Sequence, residues 1–202
     1  MSSSQSIGED LTLAHRLADA ADAITLKRYQ ALDLSVTTKP DNTPVTDADK
    51  SAEEAIRALL HAHRPEDGIV GEEFGNEGLE KDRYWVIDPI DGTKNFLRGV
   101  PTWATLIALI ERQADGSQKT VVSVVSAPAL FRRWHAHLGG GAYVAVNREN
   151  HKRISVSGVA KIEDASISYS DFIGWGEMLE PFKNLLNQAW RTRGYGDFWS
   201  HM

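Results

Sequence analysis

The chain has 202 residues, 42% of them hydrophobic and 25% charged, with 16 Gly and 7 Pro. That is the composition of an ordinary globular protein and excludes a disordered, collagenous or low-complexity one. Net charge is −6, from 28 acids and 22 bases, without the basic stripe of a duplex nucleic-acid binder, and the absence of cysteine removes disulfides, thiolate nucleophiles and thiolate zinc sites.

The first ten residues, MSSSQSIGED, carry neither a basic nor an apolar leader segment, and residues 1–9 read as a loose tail. Asp10 is placed to cap a helix running to about Leu32, with Leu13, Leu17, Ala21, Ile24 and Tyr29 at helical spacing. The polar, Pro-bearing segment Thr37 to Asp49 reads as a loop. A second helix spans about Ala48 to His63, its apolar stripe made by Ala52, Ile56, Leu59 and Leu60. The period then changes. Strands are expected at 68–72, 84–88, 102–111, 120–127, 131–138, 142–146 and 165–170, with Asp115-Gly116 as a turn and a further helix at 177–190. The most apolar stretch, Ala104 to Ile110, falls far short of the ~20 residues that span a bilayer. Helices followed by sequential strands indicate a layered α+β fold with a largely antiparallel sheet, in a cytoplasmic protein with no nucleic-acid or membrane partner.

The densest chemical signal is WVIDPIDGTKNF, Trp85 to Phe96. An apolar strand ends in Asp88, and Pro89 has no N–H to give the ladder. Asp88 and Asp91 are three apart and would face opposite sides of a regular strand. A turn at Pro89 instead lets both carboxylates and the Ile90 carbonyl converge. These are hard oxygen ligands suited to Mg²⁺ or Mn²⁺. Gly92 permits close backbone approach, and free N–H groups around Thr93 are able to hold a phosphate oxygen. If the strand ending in Gly71-Glu72-Glu73 lies beside the 84–88 strand, Glu72 or Glu73 arrives near Asp88. Asp47 and Asp49 form a third acidic cluster where the second helix begins, a place where Asp also serves as a cap. Carboxylates gathered in one site repel each other unless a cation neutralises them. Two divalent ions about 3.5–4 Å apart are able to run an in-line phosphoryl displacement, with Thr93, hydrogen-bonded to Asp49, orienting the attacking water. The seven histidines show no ligand-like pairing, and His135 and His137 read as structural.

GEE at Gly71 to Glu73 followed by WVIDPIDGTKNF resembles the inositol monophosphatase family of Mg²⁺-dependent phosphatases, and the resemblance runs from about Leu11 to Met202. It implies a layered αβαβα sandwich in a single domain, residues 1–202, commonly a homodimer, acting on a small phosphorylated metabolite. It implies that Glu72, Asp88 and the Ile90 carbonyl hold one metal and that Asp88 and Asp91 hold a second. Thr93, backed by Asp49, would hold the nucleophilic water. Glu72, Asp91, Gly92, Thr93 and Arg193 would face substrate, Arg193 lying in Arg193-Gly194-Tyr195-Gly196. Lys39 sits in a segment similar to the family's mobile metal-binding loop.

Within the family, TKPDNTPVTDAD, DGTKNFLRGVPTWATLIAL and YGDFWS most resemble the bacterial histidinol-phosphate phosphatases. Inositol monophosphate, fructose 1,6-bisphosphate and 3′-phosphoadenosine nucleotides are alternative substrates, and a non-catalytic phosphate- or metal-binding module is the alternative of another class. The family carries a later Trp-Asp pair whose aspartate completes the second metal site. This sequence has no Trp-Asp, so the expectation is a fragment lacking the family's C-terminal layers.

Overall fold

A computed structural model describes residues 4–40 and 43–201. Residues 1–3 of the expected tail, and Asp41 and Asn42 of the expected loop, lie outside the described residues. The chain divides into two compact units, one ending at Ile154 and one starting at Ser155.

The first unit is a sheet with two helices on it. Helix α1 spans Ser4–Arg28 and helix α2 spans Asp47–His63. Eight strands form the sheet: β3 (Gly68–Gly71), β4 (Gly75–Glu77), β5 (Arg83–Asp91), β6 (Ala104–Arg112), β7 (Gln118–Ala127), β8 (Arg132–His137), β9 (Gly141–Val146) and β10 (Glu149–Ile154). Their order across the sheet is β10-β9-β8-β7-β6-β5-β3-β4. The expected pairing of the strand before Glu72 with the strand before Asp88 is present: β3 runs parallel to β5, with Gly71 opposite Ile87. The other described pairs of this sheet are antiparallel.

Leu13, Leu17 and Ala21 of α1 and Ala52, Ile56 and Leu60 of α2 are buried against Ile69, Trp85, Ile87, Ile107, Leu109, Val122 and Val124 of the sheet. These helical residues recur three or four apart and the strand residues two apart, so one stripe meets one face. Trp85 has no exposed surface, and its indole N–H is satisfied by Asp67 Oδ2 at 2.9 Å. A buried polar set also joins α1 to the sheet: Asp22 Oδ2 accepts from Ser126 Oγ at 2.9 Å and from Arg133 at 2.6 Å.

Several boundaries depart from the sequence reading. The first helix starts by Ser4, because Ile7 and Leu11 add to its buried stripe, so residues 4–9 are not a loose tail. Asp10 is therefore inside the helix and is not its cap. It is 1% exposed and takes Arg64 at 2.9 Å and Arg83 at 2.6 Å, tying both helices to β5. The segment read as a loop forms a hairpin, β1 (Val36–Thr38) with β2 (Pro44–Thr46). Two strands of this sheet were not expected, β4 and β10, because both are polar and sit at its edges. Asp115-Gly116 is a turn between β6 and β7 as expected, with Gly116 at φ 82.

In the second unit β11 (Ser166–Tyr169) pairs in parallel with β12 (Arg191–Gly194), and α4 (Leu179–Leu186) lies between them in the chain. The expected helix over 177–190 is shorter than its pattern, because the last residues turn into β12. Trp175 stacks on Phe182 at 3.7 Å, with Tyr169 and Phe172 beside Phe182.

Candidate active site

The site grows from an irregularity in β5. Asp88 pairs with Leu106 and Asp91 with Ala104, so three steps on β5 match two on β6. One extra residue has been inserted into the strand. Leu106 and Ala104 are two apart and share a face, so Asp88 and Asp91 share one as well. The expected convergence is present, made by a bulge within the strand instead of by the chain leaving it at Pro89. Local bonds hold the bulge. The buried Thr105 hydroxyl donates to the Pro89 carbonyl at 2.8 Å, and the Ile90 N–H donates to Asp88 Oδ1 at 3.1 Å. The Ile90 side chain is buried with Ala48, Phe96 and Trp103, and Tyr29 packs against that group. Its carbonyl is left facing Thr93, whose hydroxyl donates to it at 3.1 Å. Gly92 takes φ 95, where a side chain would be strained, and starts helix α3, Thr93–Leu97.

Glu72 and Glu73 follow β3. A sequence-silent residue fixes this turn: Glu53 of α2, fully buried, accepts the Glu73 N–H at 2.8 Å, the Phe74 N–H at 3.2 Å and Arg57 Nε at 2.8 Å. A Cβ on Gly71 would lie 1.9 Å from Glu53 Oε1, which is why a glycine precedes the two glutamates. Glu53 lies on the face of Ile56 and Leu60, and a glutamate inside that apolar stripe was the available signal.

Asp49 is held by a capping box. Its Oδ2 accepts the Thr46 N–H at 2.8 Å and the Thr46 hydroxyl at 2.5 Å, while Thr46 Oγ1 accepts the Ala48 and Asp49 N–H groups. Thr46 is thus the cap of α2, and neither Asp47 nor Asp49 is. Asp49 Oδ1 is buried without a hydrogen-bond partner. The expected Thr93–Asp49 hydrogen bond is replaced here by Thr93 to the Ile90 carbonyl, the nearer acceptor set up by the bulge.

The electrostatics are those of crowded carboxylates. Burial, followed by the charge and hydrogen bond of Glu72 and the charges of Asp91 and Asp49, raises the Asp88 carboxyl well above the usual range. Burial pushes Asp49 up to about 6 against its bonds to Thr46, with Glu73 adding to the rise. Lys39 donates to Glu72 and Glu73, each at 2.7 Å, and the two bonds outweigh burial and raise its pKa. Glu72, Asp88, Asp91, Asp49 and the Ile90–Thr93 turn thus belong to one cluster. Arg193 belongs to the second unit, on β12, with an exposed side chain bonded to the Thr192 carbonyl at 2.7 Å.

The donor set suits a hard divalent cation: carboxylates and a carbonyl, no imidazole or thiolate, and a buried Asp49 oxygen without a donor. Among the described residues, no three carboxylates or imidazoles yet sit as a preformed ion site. Glu72 and Glu73 are instead drawn to the Lys39 ammonium. The histidines do not enter this cluster. His15, His135 and His151 gather on the α1 side of the sheet, where His135 Nε2 and His151 Nδ1 are 2.8 Å apart, a pairing hidden from the sequence because β10 was not expected.

Comparison with known proteins agrees with this geometry. The chain is 55% identical over 196 residues to a histidinol-phosphatase of Streptomyces coelicolor and 52% identical over 195 residues to one of Mycobacterium tuberculosis, covering 96% of this chain and 73% of each relative. An inositol monophosphatase structure from Zymomonas mobilis superposes with a TM-score of 0.79 at 32% identity, over 96% of this chain and 71% of that one, and so has the layered α+β architecture expected. The family model for inositol monophosphatases matches residues 8–194, and with two relatives more than 50% identical across 96% of the chain, the chain belongs to the inositol monophosphatase family.

Proposed function

We propose that this protein is a phosphoric monoester hydrolase that cleaves L-histidinol phosphate to L-histidinol and phosphate, with Mg²⁺ or Mn²⁺. The observation that carries the chemistry is the β5 bulge, which sets Asp88 and Asp91 on one face beside Glu72. The substrate rests on the two relatives at 55% and 52% identity. An acidic site also suits a substrate with an amine and an imidazole.

In this reading Glu72, Asp88 and the Ile90 carbonyl hold one ion and Asp88 with Asp91 a second. The ions, when bound, supply charge neutralisation at the phosphoryl group and acidify a water. The chain's own residues do the rest. The N–H groups of Gly92 and Thr93 open the first turn of α3, where no carbonyl of the same helix reaches them, and point partial positive charge at a phosphoryl oxygen. Once the Ile90 carbonyl is engaged elsewhere, the Thr93 hydroxyl is free to donate to Asp49 Oδ1 and to accept a proton from the attacking water. The water oxygen bonds to phosphorus as the ester P–O bond breaks. The water's proton passes through Thr93 to Asp49, and the departing alkoxide is protonated by solvent. Burial suits Asp49 to this role, since a carboxylate raised to about 6 takes a proton more readily than an exposed one.

The proposal takes both units as parts of one phosphatase domain in a homodimeric, cytoplasmic enzyme. No described helix is long and apolar enough to cross a membrane. The test is phosphate release from histidinol phosphate, inositol 1-phosphate, fructose 1,6-bisphosphate and 3′-phosphoadenosine 5′-phosphate, each with Mg²⁺, with Mn²⁺ and with chelator. Highest kcat/KM on histidinol phosphate, abolished by chelator, is expected. Preference for another ester overturns the substrate, and release that survives chelation overturns the metal chemistry.

A further inference from the structure

One cation of the chain's own already meets the carboxylate cluster. Lys39 follows β1, and its N–H donates to the Thr43 carbonyl at 2.8 Å, so the hairpin sets where its backbone lies. From there Lys39 Nζ donates to Glu72 Oε1 and to Glu73 Oε1, each at 2.7 Å. The side chain runs beside a cavity of about 510 Å³ that Thr37, Thr38, Val45 and Lys50 also line, so it has room to change partners.

Its two partners differ in burial and in role. The Glu73 side chain is 3% exposed and is assigned to neither ion, whereas Glu72 is 42% exposed and is assigned to one. A divalent ion and the Lys39 ammonium therefore call on the same carboxylate. Either the ammonium gives up Glu72, or it stays within a few ångström of a dication, where like charges repel. Both outcomes oppose the ion. The chain tethers this ammonium beside the site, so it competes at an effective concentration of about millimolar or more. Glu73 offers it a place to remain once Glu72 is taken.

We propose that Lys39 is a built-in competitor for the metal: its ammonium bridges Glu72 and Glu73 in the metal-free protein, passes to Glu73 alone when an ion binds, and so holds the affinity for the ion below what the carboxylates alone would give. This rests on Glu72 holding an ion, as proposed above. The contrary role, in which Lys39 holds Glu72 in place for the metal, makes the opposite prediction, because loss of the ammonium would then weaken binding.

Mn²⁺ calorimetry compares the parent chain with Lys39→Met, Lys39→Arg and Lys50→Met. Lys39→Met keeps the apolar stem without the charge and binds Mn²⁺ about tenfold more tightly, the worth of one charge-assisted bond to a part-exposed carboxylate. Lys39→Arg keeps the charge and binds no more tightly than the parent. Lys50 lines the same cavity but bonds neither glutamate among the described residues, so Lys50→Met, which removes only a screened charge, tightens binding by no more than about threefold. A second readout needs no change in affinity. In ¹⁵N-lysine NMR spectra of the parent, the Lys39 ammonium signal, identified by its absence from Lys39→Arg, shifts on saturation with Mg²⁺. Equal or weaker Mn²⁺ binding by Lys39→Met, with the parent binding, overturns the competitor and leaves the metal assignment standing. Equal tightening by Lys50→Met reduces the effect to net charge and overturns it too, as does a Lys39 signal that Mg²⁺ leaves unmoved. Absence of Mn²⁺ binding by the parent and all three variants overturns the metal assignment, and the competitor with it.

Discussion

Replacing Asp49 by Asn should make the metal-free protein more stable while removing its activity. Asp49 is 1% exposed, and burial lifts its carboxyl from 3.8 to about 6. The folded state therefore binds the proton more tightly than the unfolded chain. Its contribution to stability is whole below pH 3.8 and is lost as pH rises through 6. At about 1.4 kcal/mol per unit, this carboxylate costs the fold about 3 kcal/mol at pH 8. Asparagine does not titrate. Its carbonyl oxygen is able to accept from Thr46 N–H and Oγ1 as Asp49 Oδ2 does. Losing a negative charge in the first turn of α2 costs about 0.3–1 kcal/mol. In urea titrations with chelator, Asp49→Asn should be about 2–3 kcal/mol more stable than the parent at pH 8, narrowing to about 1 kcal/mol at pH 5. Turnover with metal should fall about 10²–10⁴-fold. A stability difference that is the same at both pH values, or a variant less stable at pH 8, would refute the argument that burial makes this carboxylate costly.

Asp88→Asn should abolish turnover and the metal-induced rise in Tm, because Asp88 is assigned to both ions; full activity would sink that assignment. Thr93→Ala combined with Asp49→Asn should cost little more than either change alone, as groups that pass one proton do, and strict additivity in log rate argues against a relay. Glu53→Ala frees the Glu73 and Phe74 N–H groups and unpairs Arg57, so it should weaken Mn²⁺ binding by calorimetry as well as lower Tm; unchanged affinity would reduce Glu53 to a packing role. Burial, then His135, Arg133 and His151, push His15 down to about 4. The unfolded chain binds that proton more tightly, so stability present above pH 6.5 is lost as pH falls toward 4. His15→Phe should flatten this loss by about 1–2 kcal/mol after allowance for solvent screening; an unchanged slope in urea titrations between pH 7 and 4.5 would show that another group carries it.

What was legible in the sequence was what local pattern decides. The α1 and α2 stripes, the buried strands and the Asp115-Gly116 turn follow from period and turn chemistry. The Asp88–Asp91 convergence was legible because Pro89 breaks a regular ladder, although a bulge and a turn look alike in one dimension. What escaped was polar residues whose partners are remote. Asp10 reads as a helix cap until Arg64 and Arg83 are seen beside it, 54 and 73 residues away. Glu53 sits within the α2 apolar stripe, but nothing in its own segment shows the N–H that Glu73 brings it from another element. Strand β10, residues ENHKRI, is polar because it is an edge, and without it the meeting of His135 and His151 has no antecedent.

The pairing of β3 with β5 fixes the polarity of the acidic edge. Two neighbouring strands that run the same way point their C-terminal ends to the same side of the sheet, so Glu72, just past β3, and the Asp88–Asp91 end of β5 come out together, with Gly71 paired to Ile87. Had β3 run antiparallel, its acidic end would have emerged at the far side of the sheet. The segment that returns the chain from β3 to the start of β5, residues 72–82, therefore carries the chemistry's geography. Lengthening it at the exposed Leu79-Glu80 would leave the acid edge intact, whereas reversing the direction of one strand would dissolve it with every carboxylate of the cluster still in the sequence.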